Sequence, residues 1–176
     1  MTHIRKATAD DAGPLAGLAA VTFPMACPPS SSPEDIATHV ANTLSERHFR
    51  EHLADPDVTI LVIDAHGALR GYSLLVNRPA DDPDVVSALK FLPSIELSKC
   101  YVHPEHHGLG ATAELMHASL LAAAEAGAAG VWLGVNSQNA RAIRFYEKSG
   151  FRKVGSKSFR LGTTVEHDFV LERAVP

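Results

Sequence analysis

Ile95-Glu-Leu-Ser-Lys-Cys-Tyr-Val102-His-Pro-Glu-His-His107-Gly-Leu-Gly110-Ala-Thr112-Ala-Glu-Leu-Met116, with an alanine-rich run on to Ala126, decides the fold of this chain. β-Branched and aromatic residues predict a strand over Ile95 to Val102, stopped by Pro104. Leu115, Met116, Leu120 and Ala123 recur at helical spacing in a background of good helix formers, so a long helix follows. Gly108 and Gly110 stand where strand gives way to helix. Glycine there takes dihedrals that a side chain forbids and lets a ligand approach the backbone. The first amides of a helix have no intrahelical acceptor and the helix dipole is positive at that end, which makes an anion site. A phosphate-bearing ligand is therefore expected on the backbone N–H groups of Gly108, Leu109, Gly110, Ala111 and Thr112. Gly108-x-Gly110-x-x-Ala113 also fits a dinucleotide fingerprint. That motif belongs in an early βαβ unit with an acid about 20 residues further on. Here it comes late, and Ala128 to Trp132 holds no acid.

Outward from this stretch, Ile4 to Ala7 opens the chain as a strand. Thr8 or Asp10 caps a helix whose inner face carries Leu15, Leu18 and Val21. Phe23 to Ser32 reads as a loop. Ser32-Pro33-Glu34-Asp35 starts another helix, with a capping Ser, Pro at the first position and acids in the first turn. Ile36, His39, Val40, Leu44, His48 and Leu53 carry its inward stripe, spread over one or two helices. Val58 to Asp64 and Leu69 to Val76 form a hairpin around His66-Gly67. Residues 77 to 92 connect, with room for a short helix. Gly127 to Gly130 closes the long helix, and Val131 to Val135 is the next strand. Asn139 to Lys148 is an amphipathic helix ended by Ser149-Gly150. Phe151 to Phe159 and Thr164 to Leu171 pair around Leu161-Gly162-Thr163. The order β, α, α, β, β, β, α, β, α, β, β implies an α/β (α+β) fold with a mixed sheet, because hairpins flank one strand–helix–strand crossover.

The composition is that of one globular domain spanning residues 1–176, 45 % apolar and 20 % charged. A net charge of −4 without a basic block argues against nucleic acid or an anionic membrane surface as partner. No apolar run reaches membrane-spanning length, and the N-terminus lacks a signal-peptide core. Cys27 and Cys100 make no disulfide framework, so a reducing cytoplasm is the expected compartment. His103, His106 and His107 crowd around Pro104, but no carboxylate or thiolate stands at a familiar ligand spacing, and no metal is expected.

The loop resembles the acetyl-CoA pyrophosphate loop of the GNAT superfamily of N-acetyltransferases, Gln/Arg-x-x-Gly-x-Gly/Ala. His107, Gly110 and Thr112 stand at its three signature positions, and His107 and Thr112 depart from the pattern. A second stretch, Asn139-x-x-Ala142-x-x-Phe145-Tyr146-x-x-x-Gly150-Phe151, is similar to the superfamily's Asn-x-x-Ala-x-x-Phe-Tyr-x-x-x-Gly-Phe signature at every position. From Asp57 onward the resemblance covers about two-thirds of the chain. It implies a largely antiparallel central sheet of about seven strands flanked by helices, with acetyl-CoA as co-substrate. It further implies that Asn139 hydrogen-bonds the pantetheine arm, that Tyr146 lies by the thioester sulfur, and that the Val102 backbone holds the acetyl carbonyl. An acid often precedes that valine by six residues, where this chain has Glu96. Trp132-Leu-Gly-Val, Gly155-Ser-x-Ser-Phe-x-Leu-Gly162 and His167-Asp168 look like the bacterial polyamine (spermidine/spermine) branch.

The chemistry of these residues has its own logic. An amine must lose a proton before attacking a thioester, and a carboxylate accepts it directly or through water. The expelled thiolate takes a proton from a phenol within reach. Period-two alternation puts Glu96, Ser98, Cys100 and Val102 on one face of the strand. For Glu96, a base and a solvated residue at a strand start are both open readings. For Tyr146 the rival reading is a core aromatic, which is also the reading for Phe145. Cys100 reads as a small strand residue without a base. Asp81, Asp82 and Asp84 read either as an acidic lip for a cationic substrate or as a solvated loop. The expected activity is direct acetyl transfer in a ternary complex to a small-molecule primary amine. A polyamine is the acceptor the resemblance suggests, with protein N-termini, amino acids or an antibiotic amine as alternatives. A non-catalytic acyl-CoA sensor is the rival class, and a homodimer is an open arrangement.

Overall fold

A computed structural model describes residues 2–176. Seven strands form one sheet in the order β1-β2-β3-β4-β5-β7-β6. They are β1 (Thr2–Lys6), β2 (Val58–Ala65), β3 (Ala68–Val76), β4 (Ser94–Val102), β5 (Gly130–Asn136), β6 (Arg152–Leu161) and β7 (Thr164–Ala174). Neighbours are antiparallel except for β4 and β5, which are joined through a helix and run parallel. The mixed, mostly antiparallel sheet of about seven strands is therefore as expected. The helices are α1 (Ala12–Ala26), α2 (Pro33–Thr43), α3 (Glu46–Ala54), α4 (Pro83–Ala88), α5 (Ala111–Glu125) and α6 (Ala140–Lys148).

Local rules explain most boundaries. The Ser32 hydroxyl accepts from the Glu34 and Asp35 amides at the start of α2, with Pro33 at the first position. His66 and Gly67, both at positive φ, make the two-residue turn between β2 and β3, the geometry that matches strand twist. Two expectations fail on α1. The helix runs through Phe23-Pro24 to Ala26 instead of ending at Phe23, because Phe23 belongs to the same buried stripe as Leu15, Leu18, Ala19 and Thr22. Val21 falls off that stripe and is exposed.

Each face of the sheet buries its own core. Leu115, Met116, Leu120 and Ala123 of α5 pack on Leu61, Ile63, Leu97 and Leu133. On the opposite face Leu15, Leu18 and Phe23 of α1 and Phe49 of α3 cover Ile60, Val62, Tyr72 and Leu74. Strand β2, between β1 and β3, is thus buried on both sides, which is why Ile60 to Ile63 reads as an unbroken apolar run.

Two irregularities around β4 position everything that follows. Leu74 pairs with Lys99 but Leu75 pairs with Leu97, so Ser98 is an extra residue, a β-bulge. The bulge breaks the period of two. Ile95, Leu97, Cys100 and Val102 all face the α5 core, whereas Glu96 stands beside Trp132 on the register and turns to the other face with Lys99 and Tyr101. The expectation that Glu96 shares a face with Cys100 and Val102 is wrong for this reason. The second irregularity is a parting of strands. β4 and β5 pair only at Ser94↔Gly130, Ile95↔Val131 and Glu96↔Trp132. Leu97 to Val102 and Leu133 to Asn136 then continue without pairing to each other, and the gap passes through the sheet.

Candidate functional site

A cavity of about 540 Å³ fills the gap between the parted strands and opens on both faces of the sheet. On the α5 side its wall is mostly backbone. Gly110 caps α5 in the left-handed conformation (φ 76°), and Gly108 has φ 80°. That conformation is why both positions are glycine. A Cβ at either would meet nothing within 4 Å, so backbone strain, not crowding, excludes other residues. Gly110 carbonyl accepts from Glu114, leaving the preceding helical amides directed outward at the positive end of the dipole. His107, Gly108, Gly110 and Thr112 line the cavity. Leu109 and Ala111, also expected there, do not; Leu109 is 70 % exposed.

His107 holds this loop to the sheet. Its Nε2–H donates to the Val102 carbonyl at 2.7 Å, and its Nδ1 accepts from Arg141 Nη2 at 3.0 Å. A carbonyl only accepts and a guanidinium only donates, so the neutral Nε2–H tautomer satisfies both bonds. Arg141, on the first turn of α6 and missed by the sequence reasoning, thereby reaches the cavity beside the glycine loop. The clustered histidines do not converge: His103 Nδ1 accepts from the Glu105 amide, His106 Nδ1 has no hydrogen-bond partner, and no three-ligand group occurs among the described residues.

The Val102 amide is directed into the gap. His103 N–H donates to Arg70 on β3 at 2.7 Å, so by antiparallel alternation the preceding amide points to the opposite edge of β4, where β5 has departed. Across the gap, α6 presents Ala142, Phe145 and Tyr146 to the cavity, and none of its residues is fully buried. Phe145, expected as a core aromatic, packs on the core and lines the cavity as well. The Tyr146 ring lies edge-on to Phe151 at 5.9 Å, and its hydroxyl has no hydrogen-bond partner among the described residues. Burial pushes that phenol well above its ordinary range, with Cys100 and Tyr101 adding to the effect, so it keeps its proton. Asn139 lines the cavity too; its Oδ1 caps α6 by accepting from Ala142 N at 3.2 Å, and its Nδ2 is free to donate to a ligand.

On the opposite face the wall is made of side chains. Glu96 and Lys99 come from β4, Lys157 from β6, and Glu166 and Asp168 from β7. Burial raises the Glu96 carboxyl, opposed by Lys99 and Lys157 and reinforced by Asp81; burial lowers the Lys99 ammonium, opposed by Glu96. Lys157 Nζ lies 3.6 Å from Asp168, whose carboxyl is raised by its own burial. At Gly134 a Cβ would come within 2.6 Å of Lys157 Cε, so a larger residue there would displace the end of the lysine side chain. His39 of α2 closes this end, stacked on Phe23 at 4.6 Å and edge-on to Phe159 at 5.6 Å. Cys100 is no nucleophile: burial pushes its thiol up to about 12. The acidic lip is not formed either. Asp82 caps α4 through the Asp84 amide, and none of Asp81, Asp82 and Asp84 lines the cavity.

Glu166 and Asp168 were legible only in part. They alternate on one face of a strand otherwise rich in apolar residues, a pattern that marks an inward carboxylate pair. No local signal marks Lys99, since the bulge that turns it inward has no motif.

The comparisons with known proteins agree with this architecture. The model of the acetyltransferase (GNAT) family matches residues 26–151. An uncharacterized N-acetyltransferase of Mycobacterium tuberculosis is 48 % identical over 163 residues, 93 % of this chain and 97 % of the relative. Among solved structures, the PaiA N-acetyltransferase from Thermoplasma acidophilum, in complex with coenzyme A, superposes with a TM-score of 0.78 at 20 % identity over 99 % of both chains. An N-acetyltransferase from Staphylococcus aureus does so at 0.64 and 18 % over 100 % of this chain and 99 % of the other. The two structures speak to fold alone. The family match over most of the length, together with a relative at nearly half identity from end to end, means that the chain belongs to the acetyltransferase (GNAT) family and is an N-acetyltransferase.

Proposed function

We propose that residues 1–176 act as a single domain that moves the acetyl group of acetyl-CoA directly to a primary amine in a ternary complex, with an aliphatic amine of the polyamine kind as acceptor. The observation that carries this reading is one cavity, open to both faces, lined by Tyr146 and Val102 from one side and Glu96 from the other. The backbone amides of Gly108, Gly110 and Thr112 and the Arg141 guanidinium suit the phosphates of the co-substrate, and Asn139 Nδ2 suits its pantetheine arm. Glu96, directly or through water, takes a proton from the acceptor ammonium. The amine nitrogen then bonds to the acetyl carbon, and negative charge gathering on the carbonyl oxygen meets the Val102 N–H. The carbon–sulfur bond breaks and Tyr146 gives its proton to sulfur; the proton on the new amide nitrogen leaves to solvent, which also receives the proton held by Glu96 and returns one to Tyr146. Holding both reactants in one cavity supplies much of the rate.

No helix among the described residues is long and apolar enough to cross a membrane. Two free cysteines accord with a cytoplasmic location. The test is a thermal-shift panel of acetyl-CoA, NAD, FAD and ATP, followed by thiol release over amines, amino acids, peptides and aminoglycosides. Acetyl-CoA alone should raise the midpoint, and an amine should release thiol. Stabilisation by NAD or ATP instead would overturn the reading; acetyl-CoA binding without release of thiol to any acceptor would favour a sensor.

A further inference from the structure

We infer that Glu166 anchors a second positive charge on the acceptor, so that the preferred substrates are diamines or longer polyamines and not amino acids or peptide N-termini. The inference rests on the amine-transfer reading and deepens it. It comes from the charge balance of the acceptor end. Two lysines face three carboxylates there. Lys157 is committed to Asp168 at 3.6 Å. Lys99, bonded to Ser98 Oγ at 3.3 Å, lies in the field of Glu96.

Glu166 is left over. It is only 7 % exposed and lines the cavity, yet its one hydrogen bond among the described residues comes from the neutral Asn136 amide at 3.5 Å. Its charged neighbour on β7 is Asp168, of the same sign, and the nearby Cys27 thiol is pushed up in part by Glu166 itself. A carboxylate taken from water is costly unless a cation meets it. The surroundings say which cation fits. Glu166 pairs across the hairpin with Phe159, whose ring meets His39 edge-on beside the His39–Phe23 stack. An alkyl chain ending in an ammonium satisfies both walls, the methylenes and cation against aromatic faces and the charge against the carboxylate. A carboxylate-bearing acceptor would instead place a further negative charge beside Glu166 and Asp168.

The experiment measures steady-state thiol release with acetyl-CoA and a series of α,ω-diamines, each against the monoamine of the same chain length and the corresponding ω-amino acid. It is done with the wild-type enzyme and with Glu166→Gln. The wild type should take diamines with a KM about 10-fold or more below that of monoamines, the size of one charge-assisted contact, and ω-amino acids worst. Glu166→Gln should erase that preference by raising the diamine KM, while kcat, the monoamine KM and the acetyl-CoA affinity stay within about twofold. Equal KM values for mono- and diamines in the wild type overturn the inference, as does a preference for ω-amino acids; this comparison stands even if the variant fails to fold. A Glu166→Gln enzyme that keeps the diamine preference overturns it as well. Amine acetylation without diamine preference leaves the transfer reading intact, whereas acetyl-CoA binding with no amine acetylated removes both.

Discussion

The two ends of the cavity are built in different ways. The end beneath α5 is made of backbone: two glycines at positive φ, free helical amides, and the Val102 N–H turned outward where β5 departs. The end beneath α1 and α2 is made of charged and aromatic side chains from β4, β6, β7 and two helices. A backbone site depends on dihedrals and tolerates varied side chains, which suits a co-substrate handled in one way. A side-chain site changes with every substitution, which suits recognition of a particular acceptor. Fold similarity therefore informs the first end far better than the second.

The sharpest test of this division sits at the junction. Tyr146→Phe keeps the ring against Phe151 and removes only the proton donor. Turnover should fall by about 100- to 10,000-fold, with the acceptor KM and the melting midpoint nearly unchanged. The loss should shrink for an acyl thioester whose thiol is a better leaving group. Because burial raises the phenol, no loss of activity from its ionisation should occur up to the ordinary tyrosine range of about pH 10. Wild-type turnover in the variant, with chemistry rate-limiting, would return Tyr146 to the core.

At the acceptor end, Glu96→Gln should lower kcat/KM by about 10- to 100-fold while acetyl-CoA affinity holds. The sign of its pH dependence follows from burial, which raises the carboxyl. The base is ionised above that raised value and lost as pH falls through it, so the wild-type acid limb should lie above the ordinary carboxylate range. The ratio of wild type to variant should peak between that limb and the pKa of the amine, and narrow at higher pH where free amine is plentiful. Superimposable profiles would make Glu96 a structural residue.

The smallest effect belongs to the cofactor end. Gly110→Val puts a β-branched residue at φ 76° and should weaken acetyl-CoA binding by about 10-fold, as strain of about 1–3 kcal/mol is passed to the loop. Thr112→Gly, at a helical position without such strain, should change it less than about threefold. Calorimetric titration compares them; equal affinities would take the loop out of the site.

How much of this was legible follows the same division. The glycine loop, the α5 and α6 boundaries, and the positions of Val102, Asn139 and Tyr146 lie in two contiguous stretches whose local pattern is set by neighbours in sequence. The continuation of α1 through Pro24 was not legible, because burial of Phe23 against His39 outweighs the local loop composition. Nor was Arg141, whose partner His107 stands 34 residues away.

By itself, then, the sequence determined the succession of strands and helices along the chain, the phosphate-suited turn and the family, since each depends on short-range periodicity, capping and glycine dihedrals. Only the tertiary structure decided which face Glu96 occupies, where β4 and β5 part, and which carboxylate lacks a cation. The reason is physical. A single unpaired residue, Ser98, reverses the alternation of a strand, and the charge balance of a cavity is a sum over side chains that meet only when β4, β6 and β7 are folded around it.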